Sequence, residues 1–345
     1  MKKSFLFKKI PVYFLLITAL GVSAVTYFIA GNTGAADDTE ISQAVSTDPA
    51  CSNKPVRMTG YNFVKPLLFT DNPCEANNYY SLKSSIELKF AQFKQQGVIE
   101  TAALYFRDFQ TTEWMSINPD EKFSPGSLLK VPELITFLKM EERKPGILKE
   151  VCKVNTLPGA VPDKNPVFLS KSIQAGKSYT TDELLRYMIS YSDNNATILL
   201  NNRMDAGIFE KVFTDIGLAA PDIHAADYPV SVLDYSKFFR VLFNASYISA
   251  GHSEYAAEIL STCDFKQGFV GGLPAGTKII HKFGESGSPD MHDLSESAII
   301  YVNDKPYLLT VMVKGKDLLK LPVVLSECAK SVYADVSGSV ASITQ

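Results

Sequence analysis

Histidine is scarce in this chain, with only His224, His252, His281 and His292 among 345 residues. None stands at metal-ligand spacing from another, so no metal centre is expected. No Gly-x-Ser-x-Gly turn occurs either, which removes support for a nucleophile elbow with a Ser-His-Asp triad. The five cysteines include no Cys-x-x-Cys pair, which excludes zinc ribbons and thioredoxin-type redox motifs. A basic excess is missing as well. The 34 Lys and Arg against 37 Asp and Glu leave a formal charge of -3, without the cationic face that a phosphate backbone requires, so nucleic acid is not an expected partner. There is no internal repeat. What the chain does have is a 46% apolar composition and length enough for a large core.

One long uncharged run is present, at residues 10–30. As a helix it reaches about 31 Å, enough to span a bilayer. Lys2, Lys3, Lys8 and Lys9 precede it, and Asp37, Asp38 and Glu40 follow. That bias leaves residues 1–9 as a cytoplasmic basic stub and exports the rest, giving a single-pass protein of the cell membrane with its main domain extracytoplasmic. The rival reading is a cleaved leader ending at Val22-Ser23-Ala24, for which the run is long. Residues 31–60 read as a flexible tether, because their opening stretch is rich in Gly, Ala, Thr, Ser and Asp. Cys51 and Cys74 lie just outside the membrane in this scheme, where an oxidising milieu would allow a bridge. Cys152, Cys263 and Cys328 sit in or beside apolar runs and read as buried free thiols.

Residues 61–335 are expected to form the folded domain and 336–345 a disordered tail. A helix at 81–96 stops at Gly97, and strands follow at 98–109 and 113–117. Helices are expected at 127–142, 181–190, 195–203, 208–218, 231–244 and 253–263. Strand character returns at 277–283, 297–302 and 306–314, before a last helix at 318–333. Short turns between the last strands imply an antiparallel sheet, with terminal helices on one face and a helical subdomain inserted, so the fold class is α+β.

Three segments carry candidate chemistry. In Phe123-Ser124-Pro125-Gly126-Ser127-Leu128-Leu129-Lys130 a turn precedes a helix. The Ser127 hydroxyl then lies at the positive helix end and Lys130 follows on the same face. A desolvated Lys130 near a second cation can take the Ser127 proton. In Tyr191-Ser192-Asp193-Asn194-Asn195, where one helix ends and the next begins, Ser192 can relay a proton and Asn194 can hold a carbonyl while donating towards Lys130. In His281-Lys282-Phe283-Gly284-Glu285, Lys282 can attract a carboxylate and Gly284 admits close backbone approach. The Glu285 amide can complete an oxyanion hole with that of Ser127. Each segment alone is also ordinary capping or strand-end chemistry. Their conjunction and order give them weight. Met291-His292-Asp293 reads as a loop or sheet-edge pair, with a cleft role left open.

Together these segments resemble the Ser-x-x-Lys, Ser-Asp-Asn and Lys-Thr-Gly elements of the class A β-lactamase and penicillin-binding-protein superfamily. The similarity runs from about Ser81 to Tyr333 and includes Gly-Leu-Pro-Ala-Gly-Thr-Lys at residues 272–278. It implies a β-lactamase-like antiparallel sheet beside an all-α subdomain, with the site in the cleft between them. It implies Ser127 as nucleophile, Lys130 as its proton acceptor, Ser192 as relay, Asn194 as substrate clamp and Lys282 as carboxylate anchor, with no cofactor. The expected substrate is a D-alanyl-D-alanine-like peptidoglycan stem peptide or a β-lactam. A serine D,D-carboxypeptidase is the first expectation, a true β-lactamase the second, and an inactive membrane-tethered binding domain the third. Two departures stand out. Phe283 takes the usual Thr place, and no deacylating glutamate occurs at residues 218–229, whose acids are Asp222 and Asp227.

Overall fold

The computed structural model describes residues 51–159, 167–221, 228–303 and 305–343, all within the compact unit Pro49–Gln345. The expected anchor at 10–30, and Asp222 and Asp227, lie outside the described residues. Among the described residues no helix is long and apolar enough to cross a membrane.

The chain enters through an antiparallel hairpin, β1 (Lys54–Arg57) and β2 (Leu67–Asp71). Cys51 bonds Cys74 across 23 residues of sequence, a closure that restricts the unfolded chain and contributes about 3 kcal/mol. The tether expected as far as residue 60 is therefore folded from Cys51 onward. Its physical reason is local, since the bridge and β1–β2 pairing fix a segment whose own composition buries little.

Helix α1 (Tyr80–Gln95) is followed by β3 (Thr101–Asp108) and β4 (Trp114–Ile117). Then come α2 (Lys130–Arg143), β5 (Val151–Lys153), β6 (Ser178–Thr180), α3 (Thr181–Ser190), α4 (Asn194–Asn201), α5 (Ala206–Thr214), α6 (Val232–Phe243), α7 (Ala250–Ser261) and α8 (Phe269–Gly272). The chain closes with β7 (Ile279–Ser288), β8 (Met291–Val302), β9 (Lys305–Gly315) and α9 (Pro322–Ile343). The large sheet has the order β4-β3-β9-β8-β7, with every pair antiparallel. The α+β architecture is thus the expected one, with helices inserted between the two sets of strands.

Alternation along β3 shows where the cores lie. Ala103 and Tyr105 join the core under the inserted helices, while Ala102, Leu104 and Phe106 join the core beneath α1 and α9. Both faces of the strand are buried, so it reads as a nearly continuous apolar run. The capping box at Thr180 and Glu183 fixes the start of α3, a reciprocal pairing that satisfies two free amides.

Several boundaries differ from expectation. β8 begins at Met291, so Met291, His292 and Asp293 are strand residues paired with Ser288, Gly287 and Ser286. Their polar character concealed a hairpin that reverses at Pro289 and Asp290, beside which Gly287, with φ 127°, leaves room for the Met291 carbonyl. β5–β6 and the short α8 have no strong periodic signal and were not anticipated. The last helix continues to Ile343 rather than ending at Tyr333 before a disordered tail, because Val336 is buried against the second core.

Candidate active site

Pro125 and Gly126 turn the chain into a 3-10 turn, Gly126–Leu129, that leads directly into α2. Pro132 falls in the first turn of α2, where its missing N–H breaks no intrahelical bond. Gly126 has φ 51°, and a Cβ there would strike Glu285 O. A Cβ on Gly284 would strike Pro125 O and come within 2.7 Å of Leu128 N. The turn that carries Ser127 can therefore press against the β7 backbone only because both residues are glycine. The sequence reading makes Gly284 a position of close backbone approach, as part of the substrate-binding segment with Lys282. The structure instead gives that space to the protein's own turn, which brings the Ser127 and Glu285 segments together.

The α3–α4 junction supplies the next part. Ser192 adopts φ 57°, a left-handed conformation that costs a non-glycine residue energy and needs surrounding support. Asp193 provides it. Its buried carboxylate accepts from Ser172 Oγ at 2.9 Å, Ile173 N at 2.8 Å and Asn195 N at 3.0 Å, capping α4 and pinning segment 172–173 at once.

Lys130 and Lys282 meet on this turn. Lys130 Nζ donates to Ser192 O at 2.6 Å, Ser192 Oγ at 3.2 Å and Asn194 Oδ1 at 2.8 Å. Lys282 Nζ donates to Ser192 Oγ at 3.0 Å and Phe283 O at 2.8 Å. Lysine ammonium has no acceptor, so Asn194 accepts from Lys130 rather than donating to it as the sequence reading has it. Ser192 Oγ accepts from both lysines, which leaves its own proton free to point elsewhere.

Neither lysine forms an ion pair within the described residues, and both are buried. Burial and then the charge of Lys282 bring Lys130 down to about 7. Burial lowers Lys282 to about 8, against the opposing charges of Cys263, Glu296 and Glu285. Such an arrangement makes a neutral amine accessible near neutral pH, as proton abstraction from a hydroxyl requires.

The carboxyl groups of Glu133, Glu285 and Glu296 carried no sequence expectation of their own. Glu133 lies one turn beyond Lys130, buried, with Oε2 lacking a hydrogen-bond partner among the described residues. Burial raises its carboxyl to about 7 despite the charge of Lys130 and a bond from Asn201. Its i+3 spacing from Lys130 was a usable signal. The Glu285 carboxylate accepts from the Val167 and Phe168 amides, and burial keeps it above the ordinary carboxylate range. Behind Lys282, His281 Nδ1 contacts Glu296 Oε1 at 2.6 Å, Glu296 Oε2 accepts from Phe269 N at 2.8 Å, and Cys263 hydrogen-bonds His281. Burial raises the Cys263 thiol, yet His281 outweighs it and lowers it to about 7. Cys263 and Glu296 lie 18 and 15 residues from His281 in sequence, so no local motif announces them. Cys152, Cys263 and Cys328 are buried free thiols as expected, but Cys263 is not an isolated one.

The Phe283 ring stacks on Phe265 with centroids 4.3 Å apart, packs edge-on to Phe168 at 6.2 Å, and lies under Lys282 Nζ, 4.1 Å from its centroid. Met291-His292-Asp293 has a structural place, since Asp293 accepts from Ser124 N at 3.1 Å and lies 3.7 Å from Lys314 Nζ.

With this geometry in view, the class is that of the serine hydrolases of the β-lactamase and penicillin-binding superfamily. The family model described as the beta-lactamase enzyme family matches residues 85–336, and the chain belongs to that family. Similar folds include PBP-A, at 19% identity and TM-score 0.60, covering 75% of this chain and 97% of that one. A β-lactamase from Xanthomonas campestris pv. campestris shares 18% identity at TM-score 0.61, covering 74% and 98%. The TLA-1 extended spectrum β-lactamase shares 16% at TM-score 0.63, covering 76% and 100%. No curated protein sequence matches.

Proposed function

We propose that the protein is an exported, membrane-anchored serine hydrolase that forms an acyl-enzyme on Ser127. Its substrate is the D-alanyl-D-alanine-like end of a peptidoglycan stem peptide, on which it acts as a carboxypeptidase or related acyl transferase. The observation that carries this reading is the convergence of two buried lysines on Ser192, with Lys130 lowered to about 7. Neutral Lys130 takes the Ser127 proton as Oγ attacks the scissile carbonyl, and the Ser127 and Glu285 amides receive the negative charge on its oxygen. Ser192 then passes a proton to the leaving nitrogen. Lys282 attracts the substrate's terminal carboxylate, and Asn194 orients the acyl chain through its side-chain amide. The Cys51–Cys74 bond supports export, because disulfides persist in oxidising compartments.

Glu133 favours a second reading, a true β-lactamase. A buried carboxyl raised to about 7 beside Lys130 has the acidity of a base able to activate a deacylating water. The test is time-resolved labelling with a fluorescent penicillin. Ser127 should label covalently and Ser127→Ala should not, with a burst of about one equivalent and slow release thereafter. Turnover of about ten per second or faster selects the β-lactamase. No labelling of the wild type removes the nucleophile and leaves the tethered binding domain.

A further inference from the structure

The other side of the sheet, at β3, holds a buried cation that forms no ion pair among the described residues. Arg107, near the end of β3, is 5% exposed. Its one hydrogen bond among the described residues runs from Nη1 to Tyr105 Oη at 3.5 Å, and it forms no ion pair among them. A guanidinium presents five N–H donors in a fixed fork, so most of them are unused. Burial of an unpaired charge is costly, and a protein that retains one invites a counter-ion from outside.

The surroundings fit such a counter-ion. Arg107 lines two crevices, of about 430 and 330 Å³, and Arg240 lines both. The nearby carboxylates are already engaged. Asp71 holds Arg240 Nη1 at 2.5 Å, while Asp234 holds Lys122 at 3.0 Å and Lys237 at 3.1 Å. The smaller crevice is lined by these two carboxylates as well, but Lys54, Lys237, Arg107 and Arg240 outnumber them, and Trp114, Tyr105 and Leu233 contribute apolar wall. Trp114 stands opposite Arg107 in the β3–β4 register and spends its indole N–H on Asn72 O at 2.9 Å. The ring thus offers surface, not a donor. β9 and β8 separate β3 from β7, so the crevice is about 14 Å or more from the lysine pair across the sheet.

We propose that this crevice binds a small oxyanion, a carboxylate or phosphate monoester on a flat apolar body, with Arg107 as its forked anchor. The guanidinium pairs two oxygens, Lys237 and Lys54 add attraction at the rim, and the body lies along Trp114 and Leu233. The inference is independent of the reaction at Ser127.

Titration of the full-length chain tests it, with benzoate and phenyl phosphate as probes and benzyl alcohol and benzamidine as uncharged and cationic controls. At least one anion should bind tenfold or more tighter than both controls, and the tighter anion identifies the oxyanion. Arg107→Met should weaken that anion tenfold or more, and Lys237→Ala about threefold, while Ser127 labelling by penicillin persists in both. Lys282→Met should leave the anion's affinity unchanged, which separates this crevice from the catalytic cleft. Anion binding no tighter than the controls, or undiminished in Arg107→Met, overturns the proposal. Should Arg107→Met fail to fold, Lys237→Ala decides, and unchanged affinity there overturns the proposal as well.

Discussion

The two faces of strand β7 treat buried charge in opposite ways. On the cleft face, Lys282 meets Lys130 at Ser192 without a carboxylate in contact, and both ammonium groups are depressed. On the opposite face, one residue earlier, His281 meets Glu296 at 2.6 Å. There burial opposes the imidazolium, but Cys263 and Glu296 raise it to about 10. The lesson concerns compensation. A buried cation hydrogen-bonded to an acid is locked in one protonation state, whereas one whose hydrogen bonds go only to neutral groups, with acids acting from further off, can change state near neutral pH. Alternation puts the two side chains on opposite faces of the strand, although the charges of Cys263 and Glu296 still reach Lys282.

The largest way to break this contrast is Lys130→Arg, which retains a cation but cannot deprotonate. Acylation of Ser127 by penicillin should fall about a thousandfold or more by stopped-flow measurement, and near-normal acylation would remove Lys130 as the proton acceptor. On the other face, Glu296→Gln keeps the shape and removes the charge that holds His281. Stability should drop by about 3 kcal/mol in urea denaturation; an unchanged midpoint would mean that the pair is not an ionic lock. The smallest effect sharpens the cleft side. Acylation should rise with pH through about 7, and Lys282→Met, by removing the neighbouring charge, should move that rise to higher pH. The depressed lysines also mean that the unfolded chain binds more protons between about pH 7 and the ordinary lysine range. The raised His281 works the other way up to about pH 10, but the two lysines and the lowered Cys263 thiol outweigh it, so stability should increase with pH across that window, and a decrease would contradict the depressed lysines.

Much of this site was legible in the chain because its parts are local. Ser127 and Lys130 are three residues apart at a turn-to-helix junction, and Asp193 is an N-cap between two periodic segments. The order of the three segments was visible without coordinates. Glu296 and Cys263 were not legible, because nothing in a strand or a helix end marks a residue as the partner of a histidine that distant. Gly284 was recognised as a close-approach position, but a missing side chain does not say what fills the space, and only the fold shows the Pro125 to Leu128 turn there. Arg107 looked like an ordinary strand residue. Its burial depends on α6, the β1–β2 hairpin and Trp114, which come from separate parts of the chain.

The sequence by itself determined where most helices and strands lie to within a few residues, the antiparallel α+β architecture and the identities of the polar residues at the turns. These follow from periodicity, capping and turn chemistry, which act over a few residues. Only the tertiary structure decided that two lysines 152 positions apart share one serine hydroxyl, that the Phe283 ring lies between the second core and the Lys282 ammonium, and that an acid sits behind Lys282. Those outcomes depend on desolvation and on charges brought together from distant segments, and both are properties of the packed chain alone.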